Sequence, residues 1–424
     1  MHKNLNLNVR SLEQSATLRI NERSRELLRQ GKTVYRFGLG QSPFPVPDVV
    51  VEALRQNAHQ KDYLPVCGLP ELRQAVAEHH QQAGLHQFSG DDILIGPGTK
   101  ELMFLLQLSY YGELLIPTPS WVSYAPQAQI IGRNVRWIRT RRVNNCKLTP
   151  EELTGVCRSD PDRPRILILN YPSNPTGCCY SSAELQALAA VCEEYGIVAL
   201  SDEIYMGVHY RGVYASIAQF YPEGTIVSTG LSKWCGAGGW RLGTFAFPKS
   251  LRWLLDAMAV VASETYTSTA APIQYAAVVA YQGGPEIDSY LLNSRKVLRA
   301  NAKASITELR AAGINVFKPD GGFYLFPDFT ELSDRLSPKG VYDGLSLVER
   351  ALADTGVALL PGSDFGRPAA ELTARLAFID FDGAHALRAA AKIEDEILDD
   401  AFVAHVAPHL LEGIRRLARW AASS

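Results

Sequence analysis

Lys233 and Arg241 lie within one run, Thr229-Gly-Leu-Ser-Lys-Trp-Cys-Gly-Ala-Gly-Gly-Trp-Arg-Leu-Gly243, which also holds glycines at 236, 238, 239 and 243. A lysine at the end of an apolar run is most often a solvated surface group whose stem lies on apolar neighbours. Its neighbours here point elsewhere. Glycines let the backbone come close to a bulky group, a guanidinium can clamp a phosphate, and a desolvated amine beside a cation becomes a nucleophile. Together these suit a Schiff base between Lys233 and a phosphorylated aldehyde.

From Gly230 to Gly243 the run fits, at every position, the lysine signature of the class I/II aminotransferases, and the chain resembles that fold-type I family of pyridoxal-phosphate enzymes. The resemblance implies that Lys233 holds pyridoxal 5′-phosphate as an internal aldimine and that Arg241 meets its phosphate. Gly230 stands where many relatives have serine, so Ser232 or Thr229 must supply any hydroxyl. In Gly96-Pro-Gly-Thr-Lys100 the free N–H groups of an opening helix can receive a phosphate. Capping by Thr99 explains the same residues; with the resemblance, Gly98, Thr99 and Lys100 become phosphate ligands. Trp121 is implied against the pyridine face, and Asn174, in Asn170-Tyr-Pro-Ser-Asn-Pro-Thr-Gly177, at the cofactor's phenolic oxygen. In Ser201-Asp-Glu-Ile-Tyr205, Asp202 is implied at the pyridine nitrogen, which a carboxylate keeps protonated so that the ring acts as an electron sink. Tyr205 would tune the phenolic oxygen, while Glu203 points away.

Substrate groups follow from the same resemblance. Arg375, in Thr373-Ala-Arg-Leu-Ala-Phe378, would fork onto the α-carboxylate, with Asn174 and Gly40 beside it. Tyr63 would reach the cofactor phosphate of a neighbouring subunit, as would one of Thr267, Ser268 and Thr269, which implies a homodimer with shared sites. As residues alone, each has a plainer role: a core tryptophan, an Asn-Pro turn, a turn tyrosine or a surface arginine. The implied reaction is transamination, with a free Lys233 amine, depressed in pKa near Arg241, moving a proton between Cα and the cofactor. Elimination, decarboxylation or oxidation on the same cofactor stays open, as does a cofactor-binding regulator. The last is disfavoured because only about 35 residues precede the Gly40 loop, too few for a DNA-binding head. No second arginine marks a dicarboxylic substrate, and Ser42-Pro43 departs from the family wording, so donor and acceptor stay unassigned.

These residues need strand ends and loops to hold them. Apolar runs at 92–95, 113–116, 135–138, 165–169, 197–200, 225–228 and 243–247 alternate with helical patterns such as 99–110 and 182–195. Alternation of this kind predicts an α/β large domain, a mostly parallel sheet covered by helices, with ligands beyond the carboxyl ends of the strands. Residues 11–31 carry helical spacing at Leu12, Leu18, Ile20, Leu27 and Leu28. Helices are expected at 47–59, from an opening segment 62–73 to about 84, at both ends of 251–281, and along 285–312. Short strands around 315–317, 321–327, 357–366 and 373–378 predict a smaller α+β domain. The expected division is 1–50 for an N-terminal arm with part of the small domain, 51–290 for the cofactor domain, and 291–424 for the small domain.

The chain has 424 residues, 46% of them hydrophobic, with a formal charge of −2, so a large core is available and nothing favours nucleic acid or an anionic membrane. No apolar run approaches the roughly 18 residues of a membrane span, so a cytoplasmic location is expected. Seven cysteines without a CxxC predict reduced thiols and no metal site.

Overall fold

The computed structural model describes residues 4–10, 16–395 and 397–423. A seven-stranded sheet runs in the order Ile93–Gly96, Gly243–Ala246, Thr225–Gly230, Val198–Asp202, Arg165–Asn170, Glu113–Thr118 and Val135–Arg139. Neighbours pair in parallel except at Gly243–Ala246, which is antiparallel to the strands on both sides. The expected mostly parallel, helix-covered sheet is therefore what the chain forms.

Both faces of the sheet are buried except at the edge strand Val135–Arg139, which is why its inner strands read as apolar runs. Ile116, Ile166, Ile168, Leu200 and Phe245 pack with Leu102, Leu106 and Leu254, from helices Thr99–Ser109 and Arg252–Thr265. On the opposite face Leu115, Leu167, Leu169 and Ala199 pack with Leu153, Leu185 and Leu188, from helices Pro150–Cys157 and Ser182–Glu194. Capping boxes, Thr149 with Glu152 and Ser181 with Glu184, fix where those two helices start.

Beyond helix Pro285–Ala311, the antiparallel strands Leu360–Pro361, Ala374–Ala377 and Tyr324–Leu325 form a small sheet. Tyr35–Arg36 pairs in parallel with Val357–Ala358, so a segment from the start of the chain is stitched to one near its end. Asn315 makes only an isolated bridge to Asp328, so the strand expected at 315–317 is absent; an extended connection satisfies the same two backbone groups. Of the N-terminal helical pattern, Ala16–Arg29 is helical and Leu12 lies outside the described residues; Leu7–Arg10 forms a further turn of helix. Leu27 is buried but Leu28 is 47% exposed, since adjacent helical positions cannot both face the core. Among the described residues no helix is long and apolar enough to cross a membrane.

Candidate active site

The carboxyl ends of the parallel strands open into a cavity of about 690 Å³ lined by Thr99, Lys100, Trp121, Asn174, Asp202, Tyr205, Ser232, Lys233, Arg241, Tyr324 and Arg375, with Gly40 at its edge. Residues up to 335 positions apart in sequence meet here because the strand ends converge. Asn170 and Asp202 are register partners at the ends of adjacent strands, and Asn170 ties the loop between them by donating to the Asp202 carbonyl at 2.9 Å and accepting from the Asn174 N–H at 2.7 Å.

One end of the cavity is a backbone cradle. Gly98 caps helix Thr99–Ser109 with φ +93, a conformation open to glycine, and a Cβ there would stand 2.2 Å from an Arg241 guanidinium nitrogen. A Cβ on Gly243 would stand 2.3 Å from the Thr99 nitrogen. Thr99 and Lys100 open the helix, so their N–H groups lack intrahelical carbonyls and the dipole favours an anion. Arg241 itself is left-handed at φ +58 and its guanidinium donates to the Gly238 carbonyl at 2.9 Å, which aims it across the cradle. Ser232 lines the cavity, whereas the Thr229 hydroxyl is engaged in the core with Thr244 at 2.7 Å. Of the two hydroxyls left open by the sequence, the structure thus brings Ser232 to the cradle.

At the centre, the Lys233 ammonium donates to the Gly40 carbonyl at 2.6 Å and lies 5.6 Å from the Tyr205 ring centroid. Burial lowers its pKa to about 8, and the Arg375 charge adds to this more than Arg241 does, against the opposing pull of Asp202. The sequence singled out Arg241 as the depressing charge; burial and Arg375 come first because Arg241 points into the cradle. Asp202 is buried and receives the Tyr124 hydroxyl on one oxygen, while its other carboxylate oxygen has no hydrogen-bond partner among the described residues. Burial raises its pKa to about 6, opposed by the Tyr124 hydrogen bond.

Across the cavity, Arg375 is 2% exposed and donates to the Gly38 carbonyl at 2.5 Å and to the Asn174 side-chain oxygen at 3.3 Å. Its guanidinium sits 4.8 Å from the Tyr324 ring centroid and 5.1 Å from that of Phe365. The Tyr205 and Tyr324 hydroxyls are 2.8 Å apart. Trp121 is half-buried against the edge of Tyr124, with the Lys100 ammonium 5.1 Å from its ring centroid. Tyr63 lies outside the cavity and is 89% exposed; Thr267, Ser268 and Thr269 also lie outside it.

The sequence of residues 32–379 matches the model of the family described as aminotransferase class I and II. The chain belongs to the class I and II aminotransferases. The aspartate aminotransferase of Bacillus sp. (strain YM-2) is 33% identical over 370 residues, 85% of this chain and 91% of that one. The asparagine–oxo-acid transaminase of Streptococcus mutans is 31% identical over 379 residues, covering 86% and 92% of the two chains. Among solved structures, the aspartate aminotransferase from Thermus thermophilus with maleate aligns with a TM-score of 0.81 at 29% identity over 92% of this chain and 98% of that one. The enzyme from Rhizobium meliloti aligns with a TM-score of 0.83 at 26% identity over 99% of both. Amino-group transfer is thus the reaction, in place of the elimination, decarboxylation or oxidation that the lysine segment alone left open.

Two residues of this aminotransferase's site went without a role in the sequence: Tyr324, on the cavity wall, and Tyr124, bonded to Asp202. Tyr124 ends the Trp121 segment, three positions on at the start of helix Tyr124–Ile130, which was the available signal for its pairing with Asp202. Tyr324 stands in Gly321-Gly-Phe-Tyr-Leu-Phe-Pro327, where it registers as one residue of a strand. Its contact with Tyr205 spans 119 positions, and no local pattern encodes it.

Proposed function

We propose that the cavity holds pyridoxal 5′-phosphate and serves transfer of an amino group from a dicarboxylic L-amino acid, aspartate first, to a 2-oxo acid. The observation that carries this is Asp202: a buried carboxylate oxygen without a hydrogen-bond partner among the described residues, in the same cavity as a half-buried lysine of lowered pKa. An unpaired buried carboxylate oxygen is costly unless a cation or donor meets it, and a protonated pyridine nitrogen is such a donor. The cradle of Gly98 and Gly243 leaves backbone where side chains would block a phosphate. The residues therefore fit the group.

The phosphate would be held by the N–H groups of Thr99 and Lys100, by Ser232 and by Arg241, with Trp121 against the ring and Asn174 and Tyr205 at its phenolic edge. When bound, pyridoxal phosphate supplies an aldehyde for the substrate nitrogen and a ring that takes up the electron pair released at Cα. Lys233 would form the covalent link and, once displaced, would take the proton from Cα and deliver it to the former aldehyde carbon; a pKa near 8 leaves part of it neutral at physiological pH. Arg375, seated by Gly38 and Asn174, holds the α-carboxylate and so fixes which Cα bond faces the ring.

Substrate class follows from charge. Once Lys233, Arg241 and Arg375 are assigned, Lys100 is the cation left among the described residues lining the cavity. Its ammonium, over Trp121, can meet a side-chain carboxylate, in keeping with relatives named for aspartate. A homodimer is the further expectation, with Tyr63 of one subunit completing the other's phosphate site; its full exposure and its position outside its own cavity support this. We assign the pocket to residues 51–290, Arg375 and its strand to the small domain at 291–424 joined by 1–50, and the enzyme to the cytoplasm. A panel of amino donors and oxo acids tests the substrate reading. Turnover of aspartate with 2-oxoglutarate should exceed that of alanine or phenylalanine, and Lys100→Met should cut the acidic donors about tenfold while sparing the neutral ones. Preference for a neutral donor, unchanged by Lys100→Met, would reject it.

A further inference from the structure

Tyr324 touches Arg375, Tyr205 and the backbone beside Gly40 at once. Its strand, Tyr324–Leu325, pairs with Ala374–Ala377, so Tyr324 and Arg375 sit on neighbouring strands of one small sheet. Its ring carries the Arg375 guanidinium at 4.8 Å, an attraction strengthened by burial. Its hydroxyl crosses to the large sheet and meets Tyr205, which follows the strand Val198–Asp202, at 2.8 Å. That hydroxyl also explains Gly40: a Cβ there would lie 2.2 Å from it, and the Gly40 carbonyl is the acceptor for Lys233.

A phenol has one proton to give. On the functional reading above, Tyr205 sends its proton to the phenolic oxygen of the cofactor, so the 2.8 Å contact must be filled by the proton of Tyr324. Donation into Tyr205 polarises that hydroxyl and makes it a stronger donor in turn. Burial raises the pKa of both phenols, so each keeps its proton and has one to give.

We propose that Tyr324 is a positioning residue for the transamination: its hydroxyl donates to Tyr205 and fixes the direction of the Tyr205 proton, while its ring seats Arg375. Binding of the substrate carboxylate and the protonation of the cofactor are then linked through one side chain. This inference rests on Tyr205 acting at the cofactor, and the experiment separates the two claims.

The test uses the protein loaded with pyridoxal 5′-phosphate and reads the pH midpoint of its visible absorbance. Donation from Tyr205 disperses negative charge on the phenolic oxygen and lowers the proton affinity of the chromophore, so weakening it raises the midpoint. Tyr324→Phe, which keeps the ring, should raise the midpoint by about half a pH unit or more, and lower kcat about tenfold with KM for the amino donor little changed. Tyr205→Phe should raise the midpoint further, and adding Tyr324→Phe to it should move it no more, because the hydroxyls act in series. Tyr324→Leu, which removes the ring as well, should also raise KM. An unshifted midpoint in Tyr324→Phe, or shifts that add in the double variant, would overturn the proposal while leaving the cofactor site standing. A wild-type protein with no pH-dependent visible band would reject the cofactor reading and this inference with it.

Discussion

Replacing Asp202 by asparagine should make the cofactor-free protein more stable while disabling the enzyme. The carboxylate is buried, and burial raises its pKa from an ordinary 3.8 to about 6 even with Tyr124 donating to it. That displacement corresponds to about 3 kcal/mol at neutral pH. The sign follows from proton binding. Between pH 3.8 and about 6 the folded chain holds a proton that the unfolded chain has released, so stability falls across that window and levels off above it. Asparagine has no charge to desolvate. It can still accept from Tyr124, so Asp202→Asn should gain up to about 3 kcal/mol at pH 7.5 and almost nothing at pH 4. Thermal or urea unfolding of the cofactor-free proteins at several pH values measures the difference. Loaded with pyridoxal phosphate, the variant should lose turnover by about 100-fold, because nothing opposes the charge on the ring nitrogen. A variant less stable than wild type at pH 7.5, or an equal gain at both pH values, would refute the reasoning that the site stores an uncompensated buried charge.

Other perturbations separate the parts of the cavity. Arg375→Ala removes the buried guanidinium seated by Gly38 and Asn174; KM for amino donors should rise about 100-fold, about 3 kcal/mol, with cofactor affinity unchanged, as steady-state kinetics and equilibrium dialysis can read. Gly98→Ala places a side chain at φ +93 against Arg241. Strain of about 1–3 kcal/mol and displacement of the guanidinium should weaken cofactor binding at least about tenfold, measured by fluorescence titration. The rate at which the cofactor-free protein reacts with pyridoxal phosphate should climb as pH rises through about 8, where Lys233 loses its proton. Stopped-flow absorbance would show it, and a rate flat between pH 6.5 and 9 would count against Lys233 as the reacting amine.

Much of this was legible because its signals are local. The lysine segment, the Asp202 strand end and the Asn174 loop each occupy a short run in which glycine, proline and polar positions have set roles, and buried parallel strands announce themselves as apolar runs. What escaped depends on distance in the chain or on the direction of a side chain. Thr229 and Ser232 are equally plausible hydroxyls on paper; only the pairing of Thr229 with Thr244, from the adjacent antiparallel strand, turns the first into the core. Leu28 reads as core from its composition, yet its neighbour Leu27 occupies the buried face. The charge that tunes Lys233 shows the same limit, since Arg375 is 142 positions away in sequence and Arg241 only eight, but the fold brings the distant one closer in effect.

One amine, that of Lys233, is expected to become covalently bound to pyridoxal phosphate. Borohydride reduction of the protein incubated with the cofactor, followed by digestion and mass analysis of the peptides, tests it directly. The phosphopyridoxyl group should be found on Lys233, and Lys233→Ala should lose both the label and the visible absorbance. A label on another lysine, or undiminished labelling in that variant, would contradict the account.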